Sequence, residues 1–213
     1  MRGYDDPCAI ARTLGLVGER WALLVVRELV FGPKRFSDLR RGLAGISENV
    51  LSQRLRELER AELVWRRRFA PSSTSAYELT ERGRGLEPVL VAMSRWGADL
   101  PLPEGTDPAL GVDALVFTLR ATFDAGLAGG LDVVAHLRLG DDHFRVEVRD
   151  GRFRARRTEP DDAGITIATT APILRSLVSA GGTLAKAERA GEITITGERA
   201  AAEHLLRCFP PPR

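Results

Sequence analysis

The sequence predicts an α+β protein of two domains. An N-terminal set of helices is closed by a short hairpin, and a C-terminal domain carries a mainly antiparallel five-stranded sheet with flanking helices. Three observations predict this. Apolar residues recur at helical spacing through much of the first hundred positions, and alternating strands with polar turns crowd the second half. Between them "LPLPEGTDPALG", residues 100–111, interrupts both patterns with three prolines and two glycines. The expected division is therefore 1–100, a linker at 101–111, and 112–213, and a chain of 213 residues suits two domains of about 100 residues each.

The first helices lie in "CAIARTLGLVGERWALLVVRELVFGP", with apolar positions at Ile10, Leu14 and Val17, then Trp21, Leu24, Val25 and Leu29. Gly18 divides the two, and Gly32-Pro33 stops the second. "KRF" is a short extended piece, Ser37 is the expected N-cap of "SDLRRGL", and Gly45 punctuates before the next helix. That helix starts at Ser47; at 100° per residue Leu51, Leu55 and Leu58 share one face, while Asn49, Gln53, Arg56 and Arg60 take the opposite one. "LVWRRRFA" and "SAYELT" form two strands joined by the polar "PSSTS", and "ERGRGLEPVLVAMSRWGADL" closes the domain as an amphipathic helix through Leu86, Leu90, Met93 and Trp96.

Helices followed by a two-stranded wing form a winged helix-turn-helix, in which the later helix enters the DNA major groove. The leucines would anchor that helix. Ser47, Asn49, Ser52, Gln53 and Arg56 would present hydroxyl, amide and guanidinium groups to bases or phosphates, and Arg66, Arg67 and Arg68 would meet the backbone from the wing. Charge agrees with the assignment. The net charge of +2 hides an excess in the first half, and residues 34–68 hold 10 basic against 5 acidic side chains, a footprint for a polyanion.

The segments "ERWALLVVREL", "GPKRFSDL", "GISENVLSQRLRELE" and "YELTERGRGL" together resemble the HxlR-type winged-helix transcriptional regulators, from about Cys8 to Gly97. The resemblance implies a homodimer built on the N-terminal helix and the helix ending near Trp96, and a palindromic operator in double-stranded DNA near a promoter. It also places a recognition helix at 47–60 and a wing at about 64–79. Family members that sense electrophiles or oxidants carry an N-terminal cysteine in the slot that Cys8 occupies. Cys8 is thus a redox candidate, with Arg12 one turn along, although the order here is "PC" and not the commoner "CP".

In the second half, "LDVVAHLRL" alternates through Leu131, Val133, Ala135, Leu137 and Leu139. "HFRVEVR" and "RFRARRTE" continue as a meander about an Asp150-Gly151 turn, and "GITIATT" and "GEITITG" add two strands around a helical stretch from Pro172 to Ala190. Helices "DALVFTLRATFDAGL" and "ERAAAEHLLRCF" show apolar faces through Val116, Leu119 and Phe123, and through Ala201, Leu205 and Phe209. The pattern from 112 to 209 resembles the sterol-carrier-protein (type two) fold, best in "AGEITITGERAAAEHLLRCF". That implies a pocket for a lipophilic or aromatic effector, with Val116, Leu119, Phe123, Leu174, Leu177 and Leu205 as lining; the same residues would fill any helix-on-sheet core.

Composition excludes several classes. Hydrophobic content of 44% and charged content of 28% are those of a globular protein, and two distant cysteines, Cys8 and Cys208, make no disulfide framework. No apolar run approaches the roughly 20 residues of a membrane span, and the N-terminus lacks the order of a secretory signal, so a cytoplasmic protein with no membrane partner is expected. His136, His143 and His204 lack metal-ligand spacing, and neither a nucleophile elbow nor a phosphate loop appears, so no enzyme, metal or cofactor is expected. The expectation is a regulator, with repression the leading outcome, whose operator affinity responds to an apolar ligand. The rivals are redox sensing through Cys8, and a lipid carrier that uses the winged helix for protein interaction.

Overall fold

The computed structural model describes residues 5–68, 75–98, 100–101, 110–160, 164–179 and 182–210, and the chain separates into two compact units, Met1–Leu90 and Val91–Arg213. The loop joining the wing strands and most of the expected linker lie outside the described residues.

In the first unit, α1 (Ala9–Val17) ends at Gly18 and α2 (Ala22–Leu29) follows. α3 (Phe36–Gly42) begins ahead of the expected Ser37 cap: Arg35 holds the N-cap position without a side-chain bond, and Ser37 is an exposed residue inside the helix. α4 spans Glu48–Arg60 and is capped by Ser47, whose Oγ accepts the Val50 N–H at 3.3 Å. β1 (Val64–Arg68) pairs antiparallel with β2 (Ser75–Leu79), and Lys34 adds a bridge to Tyr77, so "KRF" supplies a third edge to the wing. The last predicted helix is two helices, α5 (Glu81–Arg84) and α6 (Glu87–Gly97), and α6 runs through the point where the units divide.

The core of this unit is made by Val25, Val26, Leu29, Leu39, Leu51, Leu55, Leu58 and Leu79, all at most 2% exposed. Burying each such side chain is worth about 1.5–3 kcal/mol. The apolar faces of the first and last helices of the domain are only partly covered. Ile10 and Leu14 of α1, and Met93 and Trp96 of α6, are exposed, and Trp96 keeps 75% of its surface in solvent.

The second unit places α7 (Val112–Thr122), α8 (Ala125–Ala128), α9 (Ala171–Ser179), α10 (Leu184–Arg189) and α11 (Arg199–Arg207) around a sheet of β3 (Val133–Leu139), β4 (Asp142–Arg149), β5 (Arg152–Arg157), β6 (Ile165–Thr169) and β7 (Thr194–Thr196). The strand order is β5-β4-β3-β6-β7; β3 and β6 run parallel and the other neighbours antiparallel. Asp150 and Gly151, with φ of 51° and 66°, make the two-residue hairpin turn, whose backbone matches the strand twist. The helical stretch expected from Pro172 to Ala190 holds two helices, α9 and α10. Period-two alternation puts Ala135, Leu137, Val146, Phe153 and Ile167 on the face covered by α7, α9 and α11. Among the described residues no helix is long and apolar enough to cross a membrane.

Candidate nucleic-acid interface

α4 separates its residues by face. Leu51, Leu55 and Leu58 are buried, whereas Asn49, Gln53, Arg56 and Arg60 are exposed and Ser52 is half-buried. The Gln53 amide donates to Glu57 Oε1 at 3.1 Å, one turn along, which steadies the side chain while leaving its carbonyl oxygen for a partner. An ion pair between Arg40 of α3 and Glu48 at the start of α4 ties the two helices of the turn.

The sequence reading missed Arg54, which shares the leucine face and is 8% exposed. It pairs with Glu57 at 2.6 Å and reaches Glu19 at 3.5 Å, so the only signal was the Arg54/Glu57 spacing. Also missed was Glu28, at 1% exposure. Its carboxylate binds Lys34 Nζ at 2.6 Å and Arg27 Nη2 at 2.7 Å. A Cβ on Gly42 would stand 2.1 Å from Glu28 Oε2, so a side chain there would displace the carboxylate from this position. This buried cluster joins α2, the Lys34 bridge to the wing, and the end of α3.

Arg66, Arg67 and Arg68 are all exposed on β1. Strand register divides them. Arg66 stands opposite Tyr77 and Arg68 opposite Ser75 on one face, with Arg66 Nε donating to Ser75 Oγ at 3.0 Å. Arg67 lies on the other face over the Trp65 ring, 4.2 Å from its centroid, and 3.7 Å from Glu78. Two arginines thus project from one side of the wing and one from the other, stacked on tryptophan. Burial in this wing raises the Tyr77 hydroxyl pKa above its ordinary value. The β2-to-α5 corner is tight: Thr80 Oγ1 donates to Glu62 O and accepts from Gly83 N–H, and a Cβ on Gly83 would meet Leu63 O at 2.0 Å.

Cys8 is exposed and is the N-cap of α1, its Sγ accepting the Ala11 N–H at 3.3 Å. Cys208 is buried, which pushes its thiol pKa up.

The six predicted pocket residues do not share one space. Leu119, Leu174 and Leu205 border an apolar void of about 20 Å³, room for about one water molecule. Leu177 lines a separate open groove of about 440 Å³ between α9, α10 and α11. Val116 is fully packed, and Phe123 stacks on Phe153 with centroids 5.7 Å apart. Leu206 and Phe209 line both the void and the groove and form the wall between them. His136 and His143, set aside in the sequence reading, meet across β3 and β4 with ring nitrogens 3.0 Å apart. Among the described residues no group of three or more His, Cys, Asp or Glu could hold a metal ion.

Comparison with known proteins divides along the same line. Residues 109–213 match the family described as alkyl sulfatase C-terminal, which leaves the sterol-carrier likeness unconfirmed. Residues 16–103 match the HxlR-like helix-turn-helix family. The uncharacterised HTH-type transcriptional regulator Rv3095 of Mycobacterium tuberculosis is 44% identical over 99 residues, 46% of this chain and 62% of that protein. The chain therefore spans less than two thirds of the length of the mycobacterial relatives it matches. The HTH-type transcriptional regulator YodB of Bacillus subtilis is 36% identical over 92 residues, 43% of this chain and 82% of YodB. The solved reduced form of YodB covers 48% of this chain and 100% of its own, at 33% identity and a TM-score of 0.39. On the strength of its first half, the chain belongs to the HxlR-like helix-turn-helix family.

Proposed function

We propose that the protein is a dimeric, non-enzymatic DNA-binding transcriptional regulator, a repressor, that reads a palindromic operator with α4 and grips the backbone with the β1–β2 wing. The observation that carries this is the division of α4: a buried leucine stripe behind an exposed Asn49, Gln53 and Arg56 face, next to a strand of exposed arginines. Amide and guanidinium groups on a rigid helix suit base edges, and the wing arginines suit phosphates. The apolar residues left in solvent, Ile10 and Leu14 on α1 and Val89, Met93 and Trp96 on α6, are the proposed dimer surfaces. Gln53→Ala and Arg56→Ala should each cost roughly 1–3 kcal/mol of operator binding. Unchanged operator affinity in both folded variants would remove α4 from the interface.

The second unit is proposed to bind a lipophilic effector, as the sterol-carrier resemblance suggests. The void is too small for one, so the ligand enters from the α9–α10–α11 groove by displacing Leu206 and Phe209. Regulation requires that the ligand favour one DNA-binding state over the other. Dodecanol should protect residues 112–209 from hydrogen exchange and shift operator affinity; protection without a shift would leave binding but no regulation.

One observation favours thiol sensing as a second reading: the Cys8 sulfur at the N-terminus of α1 is exposed and so within reach of an oxidant. Cys8→Ser should then abolish any loss of operator binding on diamide treatment, and an unaltered response would end this reading.

A further inference from the structure

The face of the five-stranded sheet turned away from the helices carries a charge pattern that solvation does not require. Antiparallel sheets commonly leave one face to water, with mixed charges along it. Here β5 points Arg152, Arg154 and Arg156 outward, and all three are exposed. β4 adds Arg145 and Arg149 to that face, and β3 adds the exposed Arg138. Glu147 is the one carboxylate that the β3, β4 and β5 strands contribute to it. Glu147 pairs with Arg145 at 3.0 Å, and Arg149 turns to Asp132 at 3.3 Å.

The register makes the pattern costly. Arg145 stands directly opposite Arg156, and Arg149 directly opposite Arg152. Like charges at directly opposed positions destabilise a sheet. A face that kept such pairs only to stay soluble could exchange any of them for glutamate at a gain. Local rules are broken in this way where a surface meets a ligand. The neighbouring outward positions on β6 and β7 are Thr166, Ala168, Thr194 and Thr196, whose three hydroxyls are able to donate to phosphate oxygens, and the stacked rings of His136 and His143 lie on the β3–β4 part of the same face. Arginine forks match phosphate geometry. Same-face residues on a strand repeat every ~6.6 Å, so Arg152, Arg154 and Arg156 form a linear cationic row along the edge strand.

We propose that this sheet face is a second binding surface for the phosphate backbone of double-stranded DNA, independent of sequence and separate from α4 and the wing. It extends the DNA-binding reading of the first unit, and its test separates the two. The full chain and its R152Q/R154Q/R156Q variant are titrated against a fluorescein-labelled 40-base-pair duplex of arbitrary sequence between 50 and 200 mM salt. Each phosphate contact adds ~0.9 to the salt slope, so the wild type should lose roughly 40-fold more affinity than the variant across that range. The variant should melt within a few degrees of the wild type, because relief of two opposed arginine pairs offsets loss of the Arg154 position opposite Glu147. The corresponding triple lysine variant should keep the wild-type slope.

Equal slopes for the wild type and the glutamine variant, with both folded, would overturn the proposal. So would a variant that keeps duplex binding but loses binding to labelled polyglutamate, which would assign the face to an acidic protein. If Gln53→Ala and Arg56→Ala alter operator discrimination while the sheet variant changes nothing, the second surface fails and the α4 reading stands. If only the sheet variant weakens binding, the second surface stands and the α4 reading fails.

Discussion

Lys34→Met tests whether the buried Glu28 cluster holds the DNA-binding unit together. Lys34 is 6% exposed, and its ammonium lies 2.6 Å from a carboxylate that is 1% exposed. Removing it leaves Glu28 with Arg27 as a partner, and Arg27 keeps 20% of its side chain in solvent. Breaking one side of a buried pair costs about 3–5 kcal/mol, since the remaining charge is stranded in low dielectric. For a unit of this size each kcal/mol shifts Tm by about 4–8 °C, so a fall of roughly 12–40 °C is expected. The assay is thermal melting followed by the fluorescence of Trp21 and Trp65 in a Trp96→Phe background, which restricts the signal to the first unit. Replacing both partners, Glu28→Leu with Lys34→Met, should recover at least about 2 kcal/mol of the loss, because the buried carboxylate is gone and the remaining charge, Arg27, reaches solvent. A single variant costing less than about 1 kcal/mol, or a double variant no better than the single, would refute the assignment.

Other expectations follow from single contacts. Ser47→Ala removes the cap of α4 and should cost about 1 kcal/mol by urea denaturation, with Ser47→Asp close to wild type. Gly83→Ala places a methyl 2.0 Å from Leu63 O in the β2-to-α5 corner and should destabilise by about 2–3 kcal/mol, whereas Gly85→Ala, whose nearest contact is 3.1 Å, should be milder in the same melt. Titration with Ellman's reagent should find one reactive thiol, Cys8, in the native protein and two in denaturant. Rapid reaction of both native thiols would contradict the burial of Cys208.

Much of the fold was legible because periodicity and punctuation agree. Leucines at Leu51, Leu55 and Leu58 set the α4 face, and Asp150-Gly151 set the β4–β5 hairpin, both local patterns that tertiary packing did not override. The N-cap of α3 was misread because serine is a good cap wherever it stands, and Ser37 lies inside the helix. Ile10, Leu14, Met93 and Trp96 fit helical spacing yet are exposed, since periodicity finds an apolar face without saying what covers it. Glu28, Lys34 and Arg54 were invisible for the opposite reason: a charged residue reads as surface until its partners are placed beside it. The basic sheet face escaped because the charge of the second half is near balance in sequence, and only register brings Arg145 against Arg156 and Arg149 against Arg152. The expected ligand tunnel mixed packed core with groove, because apolar residues on a helix cannot say whether a cavity remains between them.

The central claim is that α4 reads bases and the wing holds the backbone. The most direct measurement is the structure of the full-length protein bound to its operator. The account predicts α4 in the major groove with Asn49, Gln53 or Arg56 within hydrogen-bond distance of base edges, and Arg66 to Arg68 against phosphates. A complex in which the exposed face of α4 contacts protein or solvent, and DNA lies elsewhere, would contradict it.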